Sequence, residues 1–202
     1  MRKKNNATPR AKTDRRIIRS KTLLKNALRE LMKHRKFKNI TVNEISDIST
    51  VNRATFYKHY MDKQALLEEV FQEDFNGLLN ERTKEMKAID GKFLRQTIHA
   101  VADFLLPIAQ RKLNVHSAHI PLEQKTVQQT ISDRLLQGMG AGKKKNEDLL
   151  KTRVKASMAG WAIYAAVNQW VELYLQKKLG KHDSTIENFS EKIIEPITVL
   201  IK

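Results

Sequence analysis

The sequence predicts an all-α protein, with a basic N-terminal helical domain followed by a longer helical one. Three observations carry that prediction. Apolar residues recur at helical spacing from about Thr13 almost to the end of the 202-residue chain. Two capping-box patterns, Thr41 with Glu44 and Ser184 with Glu187, mark helix starts. No segment carries a β pattern of moderate strength.

Met1 to Lys12 is polar and basic, with Asn5, Asn6 and Pro9, and reads as a disordered arm. Basic arms can lie along DNA or in its minor groove; a loose tail is the simpler reading. From about Thr13 to His34, Ile17, Leu24, Leu28 and Leu31 form the apolar face of a first helix. Arg15, Arg16, Arg19, Lys21, Lys25 and Arg29 occupy its other face. Phe37 and Ile40 anchor the link to a pair of short helices.

Thr41 and Glu44 open the first of that pair, Val42 to about Ser49, which places Val42, Ile45 and Ile48 on one buried face. Asn52 is a good N-cap for the second. From Arg53 to Met61 there is no acidic residue, whereas Arg53, Lys58 and His59 are basic or potentially so. Phe56 and Tyr60, four apart, share a face and anchor the helix. Arg53, Ala54, Tyr57 and Lys58 point elsewhere, and a small, basic outer face fits the major groove of B-DNA. Asp62 caps the next helix, with Lys63 in its first turn, where N–H groups and an ammonium can hold a phosphate. Two short helices joined by a tight turn suggest a helix-turn-helix reader of double-stranded DNA. The plainer alternative is an amphipathic pair with solvated charges.

Beyond Asp62 the chain reads as nearly all helix. Asp62 to about Ala88 carries Leu66, Val70, Phe71, Leu78 and Leu79, and Ile89-Asp90-Gly91 breaks it. Lys92 to about Gln110 turns Phe93, Ile98, Val101, Phe104, Leu105 and Ile108 inward, with Pro107 near its end. Lys112 to Ile120 is irregular, and Pro121 suits the first turn of a helix to about Gln137. Gly138 to Asn146 is a loop with three glycines and three lysines. It is not a phosphate loop: Gln137 stands where the first glycine is needed, Lys144 where Ser or Thr is needed, and no strand precedes it. Asp148 to about Lys178 is a long helix rich in Ala, Trp and Tyr. Ser184 and Glu187 open the last helix, in which Ile186, Phe189, Ile193, Ile197 and Leu200 line one side.

Charge favours an anionic partner. The formal net charge is +16, and residues 1–70 hold 18 Lys+Arg against 7 Asp+Glu. The excess therefore surrounds the expected reader. The chain has no cysteine, which excludes thiol chemistry and a disulfide framework and is compatible with a cytoplasmic protein. No apolar run of ~18 residues indicates a membrane span, and the basic N-terminus has no apolar stretch behind it to make a secretory signal. His116 and His119 have a metal-like spacing, but Asn114, Ser117 and the lack of nearby carboxylates argue against a metal. No nucleophile-base-orienter set is present, so neither an enzyme nor a cofactor is expected.

The strings Thr-Val-Asn-Glu-Ile, Val-Asn-Arg-Ala-Thr-Phe-Tyr-Lys-His-Tyr and Asp-Lys-Gln-Ala-Leu-Leu, within Thr41 to Leu67, resemble the second, third and fourth helices of the TetR family of bacterial transcriptional regulators. The resemblance covers roughly Arg15 to Val70, and beyond that only an all-helical outline matches. One departure stands out: Thr50 takes the place of the family's usual turn glycine and would be strained if that position is left-handed. The resemblance implies a basic arm at 1–12, a helix-turn-helix domain at 13–70 and a helical ligand-binding and dimerisation domain at 71–202. It implies base contacts by Arg53, Ala54 and Thr55, phosphate contacts by Tyr57, His59 and Lys63, and a backbone contact near Thr41. It also implies a homodimer pairing its last two helices, for which Ala156, Ala159, Gly160, Ile163, Val167, Trp170, Val171 and Tyr174 are candidates. A pocket for an apolar or amphipathic effector would draw on His99, Asp103, Phe104, Met158, Trp161, Tyr164 and Asn168. The expected function is a repressor released from a near-palindromic operator by such a ligand. The alternative is a regulator, which could be an activator, controlled by a protein partner.

Overall fold

Apolar spacing and caps resolve into eight α-helices in a computed structural model that describes residues 9–86, 88–114, 120–139 and 148–201. They are α1 (Pro9–His34), α2 (Val42–Ser49), α3 (Arg53–His59), α4 (Lys63–Thr83), α5 (Gly91–Asn114), α6 (Ile120–Met139), α7 (Leu149–Leu175) and α8 (Ile186–Ile201), with a 3₁₀ turn at Phe37–Asn39. The described residues contain no strand. The chain divides into a first unit ending at Val70 and a second beginning at Phe71. No helix among the described residues is long and apolar enough to cross a membrane.

The first unit packs α1, α2, α3 and the start of α4 around Leu24, Leu28, Ile40, Ile45, Phe56, Leu66 and Leu67, all fully buried. Its first helix begins at Pro9, so Pro9 to Lys12, expected in a disordered arm, is helical; proline suits a first helical position because its missing N–H has no partner there. Ile17, expected in the apolar face, is exposed, while Lys25, expected on the polar face, is buried 3.4 Å from Glu69. Ile48 also departs from the predicted buried face of α2: it is 51% exposed, and Ile45 alone of the three is fully buried. Lys21 joins Lys25 on Glu69 at 2.7 Å. Burial would raise the Glu69 carboxyl, but Lys21, Tyr60 and Lys25 together outweigh it and lower it.

The second unit is built from the remaining helices around Phe75, Leu94, Ile98, Val127, Ile131, Leu135, Ile163 and Val167. Helix α4 stops at Thr83, short of the predicted Ala88, and the Thr83 hydroxyl donates to the Leu79 carbonyl at 2.7 Å. Asp90 caps α5, accepting from the Phe93 N–H at 2.9 Å, and Pro107 is accommodated inside that helix, which runs on to Asn114. Gly160 lets α6 and α7 approach: a Cβ there would lie 2.7 Å from Ser132 Oγ and 3.0 Å from the Gln128 carbonyl oxygen. Asp148 caps α7, accepting from Lys151 N–H at 3.0 Å. The last helix starts one residue away from the predicted capping box. Thr185 accepts from the Asn188 N–H, while Ser184 donates backwards to the Lys181 carbonyl.

Seven of the eight candidate subunit-interface residues on α7 pack inside their own chain, and Tyr174 is exposed. Ala156, Ala159, Gly160, Ile163, Val167, Trp170 and Val171 are buried. Trp170 donates to the Asp183 carbonyl at 2.9 Å and stacks on Tyr174. The apolar stripe that α7 leaves exposed is instead Leu150, Val154, Met158 and Trp161, spaced four, four and three apart.

Candidate nucleic-acid interface

The reading surface is assembled from caps. At the start of α2, Glu44 N–H donates to Thr41 Oγ1 at 3.2 Å and Thr41 N–H donates to Glu44 Oε2 at 2.8 Å, the reciprocal box the sequence predicts. Arg35 pairs with the same carboxylate. Arg35 first, then the Thr41 backbone and hydroxyl, push Glu44 down to about 2.

Helix α2 closes in a Schellman motif. Val51 N–H donates to the Ser46 carbonyl and Thr50 N–H to the Asp47 carbonyl, both at 3.2 Å, and Val51 is buried. The motif needs a left-handed residue, and Thr50 supplies it at φ 56°, ψ 22°. A β-branched side chain there crowds its own backbone. Thr50→Gly is therefore expected to stabilise the first unit by about 1 kcal/mol, net of the extra chain entropy glycine loses. A urea titration checks this; a lower midpoint for the glycine variant would show that Thr50 is not strained.

Asn52 then caps α3, its side chain accepting from the Ala54 N–H at 2.7 Å. Phe56 and Tyr60 pin the helix from beneath, their rings 5.7 Å apart. This leaves Arg53, Ala54, Tyr57 and Lys58 exposed and Thr55 half-buried. The Arg53 guanidinium lies over the Tyr57 ring at 5.5 Å, which holds both side chains outward. Between α2 and α3 runs an open groove lined by Asn43, Asp47, Thr50 and Arg53, among others. Asn43 and Asp47 lie outside the set expected from sequence, although their spacing of four and lack of apolar character mark one exposed face.

Two residues expected at phosphates have other partners within the unit. The Lys63 ammonium donates to the carbonyls of Phe37, Lys38 and Ile40 at 3.0, 3.0 and 2.6 Å and sits over the Phe37 ring. It closes the 3₁₀ turn that leads into α2. His59 is half-buried, its Nε2 2.7 Å from Ser20 Oγ on α1. Burial first, then the Lys21 charge, lowers the His59 imidazolium below its ordinary value near 6.5. The ring is thus neutral at pH 7 and links α3 to α1.

That shift sets a pH dependence. An unfolded histidine titrates near 6.5, and the folded one lower, so below 6.5 the unfolded state carries the extra proton. The His59 contribution is complete above pH 6.5 and is lost as pH falls toward its folded value. Urea midpoints of the first unit are expected to fall between pH 7 and 5, and more steeply than in His59→Gln. Equal slopes would mean that His59 is not the group responsible. His99 acts with the same sign in the second unit, lowered by burial and then by Arg82.

The seven residues expected at an effector divide between buried and exposed positions. His99 is buried, 3.4 Å from Ser190 Oγ, and Phe104 is buried against Phe71 and Phe75. Tyr164 is buried, its phenol pushed up to about 12 by burial and then by Glu123 and Glu172. Asp103 pairs with Arg82 at the surface, and Asn168 donates to Glu172 at 3.0 Å. Met158 and Trp161, 49% and 46% exposed, belong to the outer stripe of α7. A polar cleft between α4 and α6, of about 290 Å³, holds none of the seven. Its lining includes Arg134, which from sequence is an ordinary charge on an amphipathic helix. His116 and His119 lie outside the described residues, as does most of the Gly138–Asn146 loop. Among the described residues no cluster of three metal-ligating side chains occurs.

Comparison with known proteins places the same segment. Residues 24–70 match the profile of a family described as bacterial regulatory proteins, tetR family. The chain is 35% identical over 60 residues to the uncharacterized HTH-type transcriptional regulator YxbF of Bacillus subtilis (strain 168), across 29% of this chain and 16% of that one. It is 31% identical over 67 residues to the HTH-type dhaKLM operon transcriptional activator DhaS of Lactococcus lactis subsp. lactis (strain IL1403), across 33% and 35%. The chain thus spans about a sixth and about a third of the length of these two curated relatives. Among solved structures it is similar to a chain described as a TetR-family transcriptional regulator from Rhodococcus sp., with a TM-score of 0.49 and 15% identity over 91% of this chain and 99% of that one. The likeness to the tetR family of bacterial regulatory proteins is thus carried by residues 24–70, the segment that holds the helix-turn-helix.

Proposed function

We propose that the protein is a dimeric, sequence-specific repressor, acting in the cytoplasm without catalytic activity and released from a near-palindromic operator by a small molecule. The observation that carries this reading is the outer face of α3. Arg53, Ala54 and Tyr57 stand exposed on a helix whose cap and buried Phe56 fix its position. In this reading Arg53, Ala54 and Thr55 meet base edges, and Tyr57 and Thr41 meet the backbone. His59 and Lys63 serve the same surface indirectly, by holding α3 and the start of α2 in place. The exposed α7 stripe of Leu150, Val154, Met158 and Trp161 supports a self-complementary pairing of two copies. Effector binding to the second unit would shift the protein toward a form with lower operator affinity, by the ~1–3 kcal/mol typical of such coupling.

Selection of bound sequences from random DNA at ~0.15 M salt tests the proposal. A single two-fold symmetric motif is expected, and the absence of any enriched motif would overturn it. Arg53→Ala is expected to cost ~1–3 kcal/mol on the selected site and to relax its base preference. A uniform loss across all sequences would instead move Arg53 to the phosphates.

A further inference from the structure

We propose that the cleft between α4 and α6 is an anion site for a small carboxylate that carries further hydrogen-bonding groups. The inference deepens the effector reading above and rests on it. On α4, Gln72, Asn76 and Asn80 recur every four residues and so share one face; across from them α6 presents Thr130, Asp133 and Arg134. The cleft, of about 290 Å³, lies at the small end of the range that ligand sites occupy.

Arg134 decides the chemistry. It is half-buried, and its one partner among the described residues is the Thr83 hydroxyl, at 3.3 Å. The other arginines of the second unit with resolved partners are neutralised: Arg82 pairs with Asp103, and Arg95 with Glu191. A half-buried guanidinium without a counter-ion is costly, and its planar fork matches a carboxylate in bidentate fashion. The three amides opposite can each donate and accept, so they suit hydroxyl or amino substituents on the same ligand. Asp133, exposed on the rim and accepting from Gln129 at 3.1 Å, selects further. Its negative charge disfavours a dianion such as phosphate and favours a ligand with a donor group beside its carboxylate.

Isothermal titration of the full-length protein tests the site, with glutamate, lactate and 4-hydroxybenzoate as probes, lactamide as the uncharged control for lactate, and inorganic phosphate as the control for a simple anion. At least one carboxylate is expected to bind. Arg134→Gln is expected to weaken it about tenfold or more, as loss of a charge-assisted hydrogen-bond pair does. Asn76→Leu, which fills the cleft without touching the charge, is expected to weaken it as well, and it carries the test if Arg134→Gln fails to fold. Failure of all three probes, equal binding in a folded variant, or tighter binding of phosphate would each overturn the site. Operator release separates this outcome from failure of the effector reading. A neutral molecule that releases DNA equally from wild type and Arg134→Gln removes the Arg134 site alone. If no molecule of any class releases DNA, the effector reading falls, while a carboxylate that still binds at Arg134 leaves the site standing without a regulatory role.

Discussion

Phe56→Ala is expected to unfold the first unit while the second unit stays folded. Phe56 is fully buried and is the side chain that seats α3; its ring lies 5.3 Å from Tyr57 and 5.7 Å from Tyr60. Truncating a buried phenylalanine costs ~3–5 kcal/mol, the sum of lost transfer energy and the cavity left behind. A domain of this size buries a modest fraction of its surface and holds only a few kcal/mol in reserve. The substitution therefore consumes most of that stability, and specific DNA binding disappears with it. The two tryptophans, Trp161 and Trp170, both lie in the second unit, so their fluorescence reports on that unit alone. Circular dichroism of the variant is expected to show the loss of short-helix signal at low urea, and tryptophan fluorescence an unchanged transition. A shift of both transitions together would show that the units unfold as one.

Legible in the sequence is what neighbours within four residues determine. The Thr41–Glu44 box, the Asn52 cap, the Phe56–Tyr60 anchor and the demand for a left-handed residue at Thr50 all depend on local geometry, and each is present. What escapes depends on contacts between distant segments. Helix α7 is apolar around most of its circumference, so periodicity cannot say which stripe faces inward. The sequence therefore puts Met158 and Trp161 in the interior and Ala156 and Ile163 at an interface, and their exposures are the reverse. Lys25 looks like a surface charge because its partner, Glu69, is 44 residues away. Arg134 has significance only because α4 brings three amides opposite it, which no pattern on α6 alone reveals.

Lys63 makes the same point and yields the second large effect. From sequence it is a cation in the first turn of a helix, where it would hold a phosphate. In the folded unit its ammonium bonds three carbonyls that lie 23 to 26 residues earlier. Lys63→Met keeps much of the aliphatic stem, so packing changes little, but it leaves the carbonyls of Phe37, Lys38 and Ile40 without their donor. Hydrogen bonds to a charged group contribute ~1.5–3 kcal/mol each, and partial exposure to water reduces that figure. A loss of about 2–4 kcal/mol in the first unit is expected, measured by urea denaturation. Raising the temperature should then abolish DNA binding by the variant well before it affects wild type. Below that temperature the salt dependence of binding separates the two roles. Removing one phosphate contact reduces the slope of log K against log salt by about one. A lysine that only positions α2 and α3 leaves the slope unchanged while lowering stability. A reduced slope with unchanged stability would return Lys63 to the phosphates. It would also mean that the three carbonyls exchange the ammonium for water when DNA arrives.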